Sequence, residues 1–224
     1  MINNIHKIKW ERNKLWQGCI LASIAHAIMV AHYPDFANEH SWDGINYSIQ
    51  DTEGARGTIT FHPQYCIAAF RDDNSERANI VRKASEYFKG ASQEVLAIAE
   101  SEALQYLLDS VDGKTLPIIT SAFWEEGHRF YSSDKYDDMY KHGGFLLSRQ
   151  TMELKDSVEA WKEYYDMTDE QCELLQSLYN RKILNPTQII FLTKEEICMI
   201  GTNDEEGIKE SKTSFYEMSI LFQE

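Results

Sequence analysis

Proline is scarce in this chain, with four in 224 residues. There is no internal repeat and no low-complexity linker, which argues against a flexible multidomain array. Cysteine is sparse too. Cys19, Cys66, Cys172 and Cys198 stand far apart and form no CxxC or other close ligand pair. An even count in a chain this long does not make a disulfide framework, so buried, reduced thiols are the expectation. The apolar run 19–33 is too short to span a bilayer and carries Ser23, His26 and His32. The opening MINNIHKIKWERNKLW lacks the apolar centre of a secretory signal. Without secretion, the glycosylation pattern at Asn46-Tyr47-Ser48 carries no meaning. A reducing cytoplasm is the expected compartment, with no membrane partner. Bases are outnumbered as well, 22 against 36 acids, for a net charge of −14. That balance disfavours general binding to nucleic acid, whose phosphates would be repelled. There is also no GxSxG, no phosphate loop, no dinucleotide fingerprint and no kinase set.

What is present is enough for a sizeable core. The chain is 43% apolar and 12% aromatic, and its 26% charged content is ordinary for a globular protein. The expectation is one globular domain over 1–224, with a helical subregion over 151–200. Charge is unevenly spread. The first twenty residues carry Lys7, Lys9, Arg12 and Lys14 against Glu11 alone, whereas residues 151–224 hold sixteen acids against seven bases. An acidic surface favours solubility and fast encounter with a basic partner.

Periodicity sets the order of elements. Gly18 can close a preceding segment, after which Ile20, Leu21, Ile24, Ile28 and Met29 recur at helical spacing with alanines between them. A helix apolar nearly all round is buried on several sides, and Pro34 stops it. DGINYSIQ, GTITFH and YCIAAF then read as a three-stranded antiparallel meander. From about Glu76 the helical period returns. Ser92 is an N-cap for a helix running to Asp112-Gly113. LPIITSAFW and FLLS read as strands. Leu154, Val158, Trp161 and Tyr165 form an amphipathic stripe. Thr168 with Gln171, and Thr193 with Glu196, are capping-box pairs for two more helices. IIFLT and SFYEMSILF read as strands. Blocks of strands and helices predict an α+β fold, mainly antiparallel, with an early buried helix and a helical C-terminal third.

Chemistry could lie at Cys19. A thiol in the first turn of a helix meets unpaired N–H groups and the positive end of the macrodipole, which favours thiolate. Gln17-Gly18-Cys19 at the head of an apolar run is similar to the nucleophile helix of papain-like cysteine proteases. Ile20 stands where that family has a small residue, and the glutamine sits closer to the cysteine than the family's does. The resemblance implies Cys19 as nucleophile, Gln17 as oxyanion donor and a histidine base. His128 and His142 are the candidates, with His62 at a turn as a third. No orienting carboxylate or amide is marked.

Other segments carry weaker chemistry. His26 and His32 are six apart and cannot chelate together on a helix. His32, Asp35, Glu39 and His40 cluster around a loop but match no regular ligand spacing, so no metal and no other cofactor is expected. SSDKYDD lacks the glycine and terminal glutamate of a calcium loop. DTEGARG lies between two strands rather than strand and helix, so it reads as a hairpin connection, not a phosphate cradle.

The segment FWEEGHRFYSSDKYDDMY mixes aromatic and acidic residues densely. Aromatic anchors among carboxylates suit recognition of a basic protein surface. Trp124, Glu125, Glu126, Tyr131, Asp134, Tyr136, Asp137 and Asp138 are the candidate partner-binding residues; Trp42 and Trp161 also fall in or beside polar, acid-bearing segments, and Trp161 reads as core. The expected function is therefore a non-enzymatic acidic binding module, such as an inhibitor or immunity-type protein masking a basic enzyme. The alternative is a cysteine hydrolase or acyltransferase built on Cys19.

Overall fold

A computed structural model describes residues 5–78, 80 and 82–223. The fold is α+β, with a mainly antiparallel sheet, an early buried helix and a helical C-terminal third. Strand β1 (His6–Ile8) precedes the long helix α1 (Arg12–Met29). Strands β2 (His40–Asp43), β3 (Asn46–Gln50), β4 (Ala55–Phe61) and β5 (Cys66–Asp72) follow. Next come helix α2 (Gln93–Ser101), strands β6 (Leu108–Val111), β7 (Lys114–Pro117), β8 (Ser121–Glu126) and β9 (Arg129–Ser132), and the short helix α3 (Tyr136–Lys141). The last third holds α4 (Leu154–Tyr165), α5 (Asp169–Leu184), α6 (Lys194–Met199) and α7 (Glu205–Glu217). Strands β10 (Ile190–Leu192) and β11 (Ile220–Phe222) flank these and pair in parallel. Strands β1, β9, β8, β5, β4 and β3 lie side by side in that order in the main sheet.

The chain divides into two compact units, each built from two stretches of sequence. The first comprises Met1–Lys14 and Ile45–Ser148. The expected meander is its centre: β3, β4 and β5 pair antiparallel, with Tyr47 opposite Ile59 and Ile59 opposite Ala68. One sheet face carries Ile67, Ala69, Ala122 and Trp124, packed with Phe88, Val95, Ala99 and Leu104. On the other face Phe123 meets Phe70 and Phe130 at ring distances of 5.9 and 5.3 Å. Gly57 faces Phe70 across the β4–β5 ladder, and a side chain there would collide with that ring.

The second unit comprises Leu15–Gly44 and Arg149–Glu224. Its core joins the apolar residues of α1 (Ile20, Leu21, Ile24, Ile28) to Trp161, Leu174, Leu175, Leu178 and Phe215. Capping starts the helices where the pattern predicts. Thr168 and Gln171 form a reciprocal capping box at α5, and Thr193 and Glu196 form one at α6.

Several elements differ from expectation. Helix α1 does not begin at Gly18 but runs through it. The glycine is required because the carbonyl oxygen of Gln150 occupies the space of a Cβ. Helix α2 ends at Ser101, and the chain continues through a 3₁₀ turn at Ala103–Leu107 into the hairpin β6–β7. LPIITSAFW splits between β7 and β8. The FLLS segment is a 3₁₀ turn, Gly144–Leu147, and Ser214–Phe215 belong to α7, leaving only Ile220–Phe222 as the closing strand. The stretch after Glu76 contains turns and a 3₁₀ segment at Ala84–Glu86.

Candidate functional site

The three residues of the cysteine reading are dispersed in environment. Cys19 is the eighth residue of α1, fully buried, and therefore two turns away from the helix N-terminus that would have activated it. His128 is fully exposed at the β8–β9 turn, where Gly127 and His128 both have left-handed backbone, φ +58° and +60°. Two such residues in succession fit the turn type that joins twisted antiparallel strands. His142 is buried, with Nδ1 2.7 Å from Ser75 Oγ. Burial, then the charges of Arg77 and Lys141, hold its pKa below the usual histidine value. It is a neutral imidazole beside a hydroxyl, the pairing expected of an activated serine. Yet Ser75 Oγ also accepts the backbone N–H of Arg77 at 3.1 Å, which ties down the turn after β5. Arg77 is in turn bonded to both oxygens of Asp134, at 2.6 and 3.2 Å, and to the carbonyl of Thr120. The hydroxyl is committed to a turn and Ser75 is buried, so substrate has no approach to it.

The acid–aromatic segment separates into core and surface. Trp124 is fully buried in β8, and Glu125 is 4% exposed with its carboxylate 3.3 Å from Arg12. Neither can meet a partner, because strand alternation turns Trp124 inward and an ion pair occupies Glu125. Asp134 is spent on Arg77. Glu126 and Tyr131 are half-buried, while Tyr136, Asp137 and Asp138 are exposed on α3. Tyr136 stacks on Tyr140 at 5.9 Å and meets the edge of Trp10 at the same distance. Trp10 had carried no signal in the sequence, since it lies far from α3 along the chain.

In the second unit the loop residues considered as metal ligands serve other ends. Both oxygens of Glu39 are taken, Oε1 by the hydroxyl of Tyr164 and Oε2 by that of Tyr165, each at 2.7 Å. His32 Nε2 lies 2.7 Å from the carbonyl of Ile200. His40 stands edge-on between His26 and Trp161, at ring distances of 5.4 and 5.3 Å. Arg149 lies over the rings of Trp161 and Tyr164, at 5.0 and 4.0 Å. Burial drives His26 down to a pKa of about 4, against a hydrogen bond to the Phe36 carbonyl that favours its protonated form. Burial also holds His40 well below the usual value, with His26 and Arg149 adding repulsion. This is a polar core of neutral imidazoles and a carboxylate satisfied by tyrosines. Among the described residues no cluster of three or more His, Cys, Asp or Glu could hold a metal ion.

The clearest surface feature of this unit was missed in the sequence. Leu184 ends α5, and Ile189 and Phe191 follow across a turn closed by Gln188 N–H donating to Asn185 O. Their exposures are 79%, 58% and 53%, against 6% for Ile190 and none for Leu192. The signal was the unbroken run IIFL, whose inward residues the core covers while its outward residues have no second layer. Arg181 fixes this corner by donating to the Phe191 carbonyl and pairing with Glu196, both at 2.7 Å. Glu195 and Glu196 follow at once in the first turn of α6.

No protein-family profile, characterised protein or solved structure matches this chain. Among the described residues, no helix is long and apolar enough to cross a membrane.

Proposed function

We infer that this chain is a non-enzymatic, acidic protein-binding module whose partner presents a basic surface. The observation that carries the reading is the outward apolar trio Leu184, Ile189 and Phe191, set in a stretch of sequence whose acids outnumber its bases sixteen to seven. Large exposed apolar groups rimmed by charge mark interaction sites. Apolar anchors supply binding energy, and carboxylates around them steer a basic partner and reject acidic ones. The concrete form of the reading is an inhibitor or immunity-type protein that masks a basic enzyme. Four cysteines that form no disulfide with one another fit a reducing cytoplasm. The cysteine-hydrolase alternative needs an accessible thiolate, and the depth of Cys19 in α1 gives it no support.

The test starts from the tagged full-length protein, recovered from its native cells with whatever it binds. The captured protein is then purified and rebound in isolation. The expected partner is basic and is lost on Leu184→Asp with Phe191→Asp, while Cys19→Ala binds as wild type. A partner held equally well by the double variant would overturn the reading, as would a hydrolytic turnover abolished by Cys19→Ala.

A further inference from the structure

A cavity of about 530 Å³ opens in the first unit between α2, the 3₁₀ turn that follows it and strand β7. This volume lies within the range of small-molecule sites, about 300–1,000 Å³. Its floor belongs to the core: Phe88, Ala99 and Leu104 are each 3% exposed or less. The space exists because Ala84 and Ala99 line it with methyl groups where longer side chains would have filled it. Leu96 and Leu116 form the outer wall, the latter 39% exposed on the hairpin β6–β7. Apolar walls facing a void forgo dispersion contacts that an apolar occupant would restore.

The rim says which occupant. Arg82 and Lys83 border the cavity and are exposed. Neither side chain makes an ion pair or hydrogen bond among the described residues. Arg12, Arg71, Arg77 and Arg181 all hold carboxylates. In a chain with 36 acids, two adjacent cations without a carboxylate beside an apolar cavity form a complementary seat for an anionic head group. One acid, Glu100, also lines the cavity, leaving its rim net positive.

We propose that the first unit binds a single-chain carboxylate of the fatty-acid type, its tail between Phe88, Leu96, Leu104 and Leu116 and its carboxylate on Arg82 and Lys83. This site is separate from the Leu184–Phe191 surface and does not depend on it. The experiment titrates decanoate into the full-length protein by calorimetry, with decyltrimethylammonium as the cationic counterpart of equal tail. Decanoate is expected to bind saturably at one site, and the cation to bind more weakly or not at all. Arg82→Glu with Lys83→Glu should weaken decanoate about fivefold or more, the sum expected of two exposed charge contacts reversed. Leu116→Asp, a change at an exposed position, should weaken it through the tail. Glu100→Gln should bind as well as wild type or better. Circular dichroism on each variant verifies that the fold is kept. Absence of saturable binding overturns the proposal, as does equal affinity for both amphiphiles. Wild-type affinity in both the charge-reversed and the Leu116→Asp proteins would also overturn it.

Discussion

Gly18 shows how one residue can set the approach of two segments. Judged by helix propensity alone, Gly18→Ala would stabilise α1 by about 1 kcal/mol. The added methyl would instead strike the carbonyl oxygen and Cα of Gln150, backbone atoms that cannot rotate away. Overpacking of this kind costs about 1–3 kcal/mol. The expected outcome is a net loss of stability, read as a lower urea midpoint at unchanged slope. A midpoint that rises would mean that α1 does not press against Gln150. Cysteine reactivity belongs to the same scale. Cys198 is exposed, whereas Cys19 and Cys66 are fully buried and burial pushes the Cys66 thiol upward. Under native conditions iodoacetamide should label Cys198 first and leave Cys19 and Cys66 untouched until the chain unfolds. Fast labelling of Cys19 that persists to about pH 6 would restore the nucleophile reading, because it requires an accessible thiolate.

The second unit makes an element of its buried histidines, with α1 carrying His26 and β2 carrying His40. Both are held neutral in the folded state, His26 down to a pKa of about 4. Released by unfolding, an imidazole titrates near 6.5. Between those values the unfolded chain takes up protons that the folded chain refuses, so stability falls as the pH drops from about 6.5 towards 4. For His26 alone the loss by pH 4 is on the order of 3 kcal/mol. Urea midpoints measured from pH 7 to pH 4 should decline, and His26→Leu should flatten the decline. An unchanged slope in that variant would assign the acid sensitivity to other groups.

Legibility in the sequence also divides at the level of elements. The caps at Ser92, Thr168 and Thr193 were readable because a cap is a contact between residues three apart. The meander was readable because strand alternation is local. The N-terminus of α1 was not, since the reason for Gly18 is a carbonyl brought in from Gln150. SFYEMSILF looked like a strand because Tyr216, Met218, Ile220 and Phe222 recur at every second residue, but tertiary packing of Ser211 and Phe215 against the core decided for helix in its first part. Trp124 and Glu125 looked like surface for a related reason. An ion pair to half-buried Arg12 makes a buried acid acceptable, and no local pattern records that partner.

At the scale of the whole molecule, charge and apolar anchors should control different rate constants. Net charge of −14 acts at a distance and before contact, so its place is in the association rate. The Debye length shrinks from about 30 Å at 0.01 M salt to about 8 Å at 0.15 M. Association with a basic partner should therefore slow steeply over that range, while dissociation changes little. Leu184 and Phe191 act only after contact, where truncation of an interface anchor mostly raises the dissociation rate. Leu184→Ala and Phe191→Ala should each speed dissociation, by about fivefold or more if they are central anchors, without altering the salt dependence of association. Surface plasmon resonance at several salt concentrations separates the two. Should the alanine variants alter only the association rate, or should salt alter only dissociation, the division between steering and anchoring would be wrong. The carboxylates would then themselves be the contact, and reversal of Glu195 and Glu196 should abolish binding where loss of the apolar trio does not.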